Sequence, residues 1–333
     1  MPDSLLTRDP DRAVAALRAG RLAVLPTETV YGLGAAAFNP GAVAQVYAVK
    51  GRPADHPLIV HLADAGAMDG WVRDVPAYAR RLAEHCWPGS LTLVLPRGDR
   101  AGLHVTGGQE TLAVRVPDHP LALEVLRRFA EGVAAPSANR FGRVSPTAPQ
   151  HVLDDIGDRL VPGSDVVLDG GPCQVGVEST IVDCTSDSPR LLRPGAVSER
   201  RIEAVAGLPL ARTASPVRAP GTLPAHYAPR ARVVLIEASV ASAMAEEAGP
   251  PVTPGPPQTG LLALSEVATP DGVVRLSAPR TTDEYAQALY AALREADALH
   301  LRVVLAVLPP DAGMGAAVRD RLSRSAAASR SAR

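Results

Sequence analysis

Lys50 and Arg52 stand two residues apart in Lys50-Gly51-Arg52-Pro53, and Lys50 is the one lysine among 34 basic side chains. A chain that otherwise uses arginine keeps a compact, rotatable point charge here, and the two cations are not interchangeable. The chemistry this suggests is anion binding, with a solvated surface lysine as the plain alternative. Two further polar segments follow apolar runs: Pro26-Thr27-Glu28-Thr29-Val30-Tyr31-Gly32-Leu33-Gly34 after Leu22 to Leu25, and Pro136-Ser137-Ala138-Asn139 after Val133 to Ala135. Loops at strand ends are where α/β proteins keep their ligand contacts. His56, His61, Arg115, Ser145, Glu178-Ser179-Thr180 and Arg193 complete the candidates. Taken singly, Arg115 also fits an outward strand residue, His61 a satisfied core histidine, and Glu178-Ser179-Thr180 a turn.

Several chemistries find no support. A Walker-type loop needs Ser or Thr after its lysine, and Gly51 follows this one. Gly32-Leu33-Gly34 with Ala37 has the look of a dinucleotide fingerprint, but Pro26 to Tyr31 separate it from the strand end where that motif begins. No Gly-x-Ser-x-Gly elbow and no His/Cys cluster of metal spacing occurs. Cys86, Cys173 and Cys184 are too few and too scattered for a disulfide framework and fit a reducing compartment. A net charge of −1 argues against a large nucleic-acid footprint, and aromatics at 3% offer few stacking platforms. Met1 to Arg8 has no apolar core of a signal peptide, and no run approaches the ~18 apolar residues of a membrane span. The expectation is a soluble, cytoplasmic protein that binds a small anion.

The elements that must position these residues alternate between helix and strand. Asp9-Pro10 with Ala13, Val14 and Leu17, closed by Gly20, reads as a capped helix, and Asn39-Pro40 opens another through Val49. Helix signals recur at Pro76 to His85, His119 to Glu131, Ala148 to Asp155 and Ser198 to Ala206. Strands are expected at Leu22 to Leu25, Leu58 to Leu62, Leu91 to Leu95, Thr111 to Val116, Val133 to Ala135, Val166 to Leu168 and Thr180 to Val182. This places Lys50 and Arg52 in a helix-to-strand connection. Such alternation implies an α/β architecture with a mixed sheet over residues 1–208. A proline-rich linker covers 209–230, and a smaller α/β domain occupies 231–333. Within it strands are expected at Val233 to Ile236, Leu261 to Leu264, Val273 to Leu276 and Val303 to Leu308. Helices are expected at Val240 to Ala248, at Thr282 to Ala298 and from Ala316, the first followed by a loop from Gly249 to Pro257. The Ser/Ala/Arg tail after Leu322 reads as frayed.

Together, the Pro26 to Gly34 loop, Lys50-x-Arg52 with Ser137-x-Asn139, Pro57-Leu58-Ile59-Val60-His61 and Trp87-Pro88-Gly89 leading to Thr92 form an ordered series. It continues with Gly176 to Asp183, Leu192-Arg193-Pro194-Gly195, and Pro220-Gly221 leading to His226-Tyr227-Ala228-Pro229. The series resembles the threonylcarbamoyl-AMP synthases of the YrdC/YwlC family, in their longer, two-domain form. The resemblance implies a YrdC-like twisted mixed sheet with flanking helices and a smaller C-terminal, Rossmann-like α/β domain. It implies a nucleotidyltransferase that condenses L-threonine, bicarbonate and ATP into threonylcarbamoyl-AMP and pyrophosphate, for N6-threonylcarbamoylation of adenosine 37 in tRNA.

By motif match, Lys50 and Arg52 go to the ATP phosphates as the catalytic pair. Ser137, Asn139, Ser145, Arg193 and Tyr227 join the nucleotide side, with His56 and Thr111. Thr29, His61, Arg115 and Ser179 go to threonine, Arg115 to its carboxylate. The resemblance also implies Mg²⁺ carried on the ATP phosphates without a protein ligand set, a linker that closes over the nucleotide, and a product passed to a threonylcarbamoyl transferase. Stable tRNA binding is not expected. Ala219, Thr222 and Leu223 depart from the family's linker pattern, and His56 replaces a usual asparagine. A YrdC-like RNA-binding module is the alternative from another class.

Overall fold

The computed structural model describes residues 5–241 and 258–331. The helix expected from Val240 and the loop that follows it therefore lie, beyond Ala241, outside the described residues. The chain forms two compact units. The first comprises Met1–Phe141, Ser145–Gln174 and Glu178–Thr222; the second comprises Gly142–Val144, Val175–Val177 and Leu223–Arg333.

In the first unit ten strands form one mixed sheet: β1 (Leu6–Thr7), β2 (Ala23–Leu25), β3 (Gly32–Ala36), β4 (Ile59–His61), β5 (Leu91–Pro96), β6 (Thr111–Arg115), β7 (Val133–Ala134), β8 (Val166–Leu168), β9 (Thr180–Asp183) and β10 (Arg190–Arg193). Their order is β1-β8-β2-β3-β7-β4-β6-β5-β9-β10. The helices are α1 (Pro10–Arg18), α2 (Pro40–Lys50), α3 (Ala77–Cys86), α4 (Leu103–Thr106), α5 (Pro120–Phe129), α6 (Pro149–Ile156) and α7 (Glu199–Ala206). The expected caps at Asp9 and Asn39 form, accepting from the Asp11 and Ala42 N–H groups, and Ser198, read as the first residue of a helix, also serves as a cap by accepting from Arg201, each satisfying an orphan donor of the first turn. Helix α2 runs one residue further than its pattern suggested. Lys50 is its last residue, and Gly51, in the left-handed region at φ 62°, closes it.

Strand β3 corrects the reading of Gly32-Leu33-Gly34 as part of a loop. These glycines are strand residues paired antiparallel to β2. A Cβ on Gly34 would lie 2.7 Å from the Ala23 carbonyl oxygen and 2.9 Å from a Val133 methyl, so the glycine serves close strand approach. Strand β10 was also unforeseen, because Arg-Leu-Leu-Arg offers no clean alternation.

The period of two along the strands divides the side chains between the faces. One face buries Val60, Leu91, Leu93, Leu112, Val114, Ala134 and Val182 against α2, α3 and α7. On the other, the β8-β2-β3-β7 half is covered by α1 and α5 through Leu17, Val125, Leu126 and Phe129. The remaining β4-β6-β5-β9 patch of Ile59, Ala113, Val94 and Ile181 is met by Ala219, with Val217 and Leu192 beside it. Its cover is irregular chain, tied down at several points. Ala211 N–H donates to Pro189 O at 2.8 Å, Ser215 Oγ to Asp183 at 2.8 Å, and Gln109 exchanges two hydrogen bonds with the Arg218 backbone.

The second unit holds an all-parallel sheet of β11 (Arg232–Ile236), β12 (Thr259–Leu262), β13 (Val274–Ser277) and β14 (Val303–Val307), ordered β11-β14-β12-β13. Helix α8 (Thr282–Ala298) starts on the Thr281 cap, and α9 (Met314–Ser331) ends the described chain. The tail after Leu322 is thus helical rather than frayed. Its small residues allow close packing: Ser325 and Ala326 are buried, and Ser329 Oγ accepts from the Val233 N–H.

Candidate active site

Alternation delivers one set of polar side chains to the patch that no helix covers. His61 follows Ile59 on β4, Arg115 follows Ala113 on β6, Thr92 precedes Val94 on β5, and Ser179 precedes Ile181 at the start of β9. Register brings them side by side, His61 opposite Arg115 and Thr92 opposite Ile181. All four are buried.

Arg115 is the hub. Its Nε donates to Gly89 O at 3.1 Å, Nη1 to Thr29 Oγ1 at 2.9 Å, and Nη2 to Glu28 Oε1 at 2.6 Å. Three of the five N–H donors of an arginine are thereby used, leaving one on each terminal nitrogen. Thr29 is fixed by Thr27, whose hydroxyl shares a 2.8 Å hydrogen bond with it and caps the turn by donating to Val30 O. Ser179 Oγ shares a 2.8 Å bond with Thr92 and accepts from Arg193 Nη2 at 3.2 Å. Arg193 also donates twice to Ser179 O, and its Nη1 reaches Pro220 O in the covering segment. Gly195 allows this closeness, because a Cβ there would meet Thr180 N at 2.3 Å.

A second cluster gathers Lys50-x-Arg52 with Ser137-x-Asn139. From the end of α2, Lys50 Nζ donates to Ser137 O and to Asn139 O, both at 2.6 Å, so two of three ammonium donors tie the helix to the loop after β7. Arg52 donates to Pro57 O, and Phe141 packs against both the Arg52 guanidinium and the His56 ring. Ser145 Oγ donates to Glu178 at 2.6 Å. The Pro26 to Tyr31 loop joins the clusters: Thr29 reaches Arg115, while Tyr31 O accepts from Ala138 N and Gly32 bridges Ser137.

Burial and neighbouring charge set the electrostatics. Burial and then Arg115 push His61 down to about 3, so its imidazole is neutral at ordinary pH. Burial, then Arg52, pushes the Lys50 ammonium well below the usual lysine value. Burial raises Glu28, but the Arg115 charge and hydrogen bonds from Arg115, Asp118 and Ser90 outweigh it and hold the carboxyl below its usual range. Burial and then Arg52 lower His56.

The expected residues therefore fall into an Arg115 cluster, with Thr29, His61 and Ser179, and a Lys50 cluster, with Arg52, His56, Ser137 and Asn139. Arg193, read with the nucleotide side, bonds to Ser179. Thr111 starts the strand that Arg115 ends, four residues and roughly 13 Å away at strand rise. Tyr227 belongs to the second unit, where its ring packs on His226 and Tyr290 beneath Arg321. Glu28 and Thr92 were not singled out as site residues, although Thr92 shares the alternation that carries Arg115. Among the described residues no three His, Cys, Asp or Glu side chains gather as a metal site, and no helix is long and apolar enough to cross a membrane.

A mixed sheet whose helix-free face carries a buried arginine fork, with a buried lysine cluster joined to it by the Pro26 to Tyr31 loop, defines a YrdC-like, two-domain α/β protein. Residues 15–195 match the family described as "Telomere recombination", and residues 197–327 match "Threonylcarbamoyl-AMP synthase, C-terminal domain". The threonylcarbamoyl-AMP synthase of Bacillus subtilis (strain 168) is 40% identical over 97% of this chain and 95% of that protein. That of Pyrococcus abyssi is 37% identical over 94% and 92%. The crystal structure of P. abyssi Sua5 complexed with L-threonine superposes with a TM-score of 0.83, at 35% identity over 97% of each chain. The chain belongs to the threonylcarbamoyl-AMP synthase family, a family of enzymes.

Proposed function

We propose that this protein is a nucleotidyltransferase that condenses L-threonine, bicarbonate and ATP into threonylcarbamoyl-AMP and pyrophosphate. The observation that carries the reading is the pair of N–H donors left on Arg115, one per terminal nitrogen, beside Thr29 and Ser179. Such a fork suits one carboxylate.

In this reading the threonine carboxylate lies on Arg115, and the hydroxyls of Thr29 and Ser179 orient the rest of the molecule. His61, neutral, accepts or donates a hydrogen bond without adding charge. Bicarbonate takes up a proton and loses water to give CO2; the amine, as its free base, adds to the CO2 carbon and loses a proton, giving a carbamate. A carbamate oxygen then forms a bond to the α-phosphorus as the bond to pyrophosphate breaks. Such a transfer depends on positioning and on cations aimed at the phosphates more than on a dedicated nucleophile. Lys50, through its third N–H, and Arg52 supply those cations, while Ser137 and Asn139 are held in place by Lys50. Mg²⁺ carried on the ATP phosphates would be held through phosphate oxygens and water and would offset their charge; the carboxylates whose charge reaches Lys50 are Asp155 and Glu178, the latter accepting from Ser145. The segment bearing Ala219 and Pro220 keeps water from the product anhydride. The product serves a transferase acting on tRNA.

The test is pyrophosphate release with each of the three substrates omitted in turn. Release that needs all three is expected; release without threonine or without bicarbonate overturns the reading.

A further inference from the structure

Glu28 lies in the loop between β2 and β3 and is 6% exposed. Its carboxylate is held from three directions: Arg115 Nη2 donates to Oε1 at 2.6 Å, Ser90 Oγ to the same oxygen at 2.9 Å, and Asp118 N–H to Oε2 at 3.1 Å. Ser90 precedes β5 and Asp118 follows β6, so the carboxylate spans the ends of two neighbouring strands. Arg115 is in turn pinned at Gly89 O, Thr29 Oγ1 and Glu28. Three anchors on a planar group leave its plane no freedom to turn.

We infer that Glu28 is the positioning residue of the amino-acid subsite, aiming the Arg115 fork and cancelling its charge so that a zwitterionic monocarboxylate binds and free inorganic anions do not. The inference rests on the reading of this subsite as the one for threonine. The Arg115–Glu28 ion pair carries no net charge and His61, opposite Arg115, is neutral, so the groups at the fork match an amino-acid zwitterion, which also carries no net charge. An arginine without that counter-charge would be a general anion site. In an enzyme that releases pyrophosphate from ATP, such a site would collect the polyanions produced next to it. Glu28 accepts hydrogen bonds only, so it offers a second anion repulsion instead of a contact.

The experiment uses the full chain with Glu28→Gln, which keeps the shape and removes the charge, and Glu28→Asp, which keeps the charge on a shorter stem. Thermal melting checks the fold, calorimetry reads threonine and ATP affinity separately, and sulfate is the anion probe. Glu28→Gln is expected to weaken threonine about 10- to 100-fold, the range of one charge-assisted hydrogen bond, with ATP affinity within about threefold of wild type. It is also expected to bind sulfate in competition with threonine. Glu28→Asp is expected to weaken threonine without gaining sulfate binding. Equal weakening of threonine and ATP with no sulfate binding would mark Glu28 as merely structural and overturn the inference, as would unchanged threonine affinity. If Glu28→Gln does not fold, Ser90→Ala frees one side of the carboxylate and keeps its charge. Weaker threonine binding without sulfate binding is then expected, and unchanged affinity overturns the positioning role. Failure of the wild type to bind threonine strikes the subsite reading instead, and sulfate binding gained by the variant still decides the charge-cancelling role.

Discussion

Replacing Lys50 separates two roles that one ammonium combines. Its Nζ holds two carbonyls at 2.6 Å in a fully buried site and has one donor left for a phosphate. Lys50→Met removes two charge-assisted hydrogen bonds, about 1.5–3 kcal/mol each. It also removes the cost of burying an ammonium, itself several kcal/mol. These terms oppose, so stability should move by no more than about 2 kcal/mol while the phosphate contact disappears, weakening ATP by roughly 10- to 100-fold. Lys50→Arg keeps the charge but forces a larger planar group into a closed space, an overpacking cost of about 1–3 kcal/mol. Turnover should drop about 100-fold, because the fork cannot bond both carbonyls and still reach a phosphate. Urea melts report stability, and pyrophosphate release reports turnover.

The lowered ammonium value adds a pH signature. Above that value, and up to the usual 10.5, the unfolded chain binds the extra proton, so stability rises with pH across this window. ATP affinity falls as the pH rises through the lowered value itself, since the neutral amine no longer attracts phosphate. Stability and affinity moving in the same direction in the wild type, or wild-type turnover in Lys50→Arg, would refute the reasoning.

Thr92→Val removes the hydroxyl bonded to Ser179 and keeps the shape; threonine KM should rise about 3- to 15-fold, as expected for one neutral hydrogen bond, with ATP KM little changed in steady-state kinetics. His61 should give no titration in threonine binding between pH 5 and 8, because its value lies near 3. Its contribution to stability is complete above 6.5 and is lost as the pH falls toward 3, as acid unfolding of wild type against His61→Gln would register. Gly195→Ala sets a methyl 2.3 Å from Thr180 N, and a melting experiment should show a loss of at least about 1–3 kcal/mol. Gln109→Ala removes both bonds to the Arg218 backbone and leaves the Arg218 side chain on Gly107 O, so proteolysis between 211 and 222 should quicken while the fold's melting temperature stays close to wild type.

Much of this architecture was legible because capping residues and period-two runs are local. Asp9, Asn39 and Ser198 all cap the helices that their positions announced. Alternation even assigns His61, Arg115 and Thr92 to one face once Val60, Val114 and Leu93 are taken as core. Register was not legible. Nothing local to Arg193 announces its bonds to Ser179, fourteen residues earlier, and Glu28 meets Arg115 only through a contact 87 residues long. The pairing of Gly32-x-Gly34 has the same cause, since the neighbours that demand glycine at Gly34 are the Ala23 carbonyl and a Val133 methyl, set beside it only by strand register. The tail after Leu322 was misjudged because serine and alanine look unable to bury a face, when here their smallness is what permits burial.

A chain with a single lysine has a single side-chain amine for acylating reagents and a single site for a lysine-directed protease. Both belong to Lys50, which is 2% exposed and held by two carbonyls. Modification of that amine must wait until the end of α2 parts from the Ser137–Asn139 loop. The rate of labelling, followed on the intact chain by mass, is therefore a clock for local opening at the nucleotide cluster. No mutation or attached probe is needed, and a ligand that lodges against the ammonium should slow the clock.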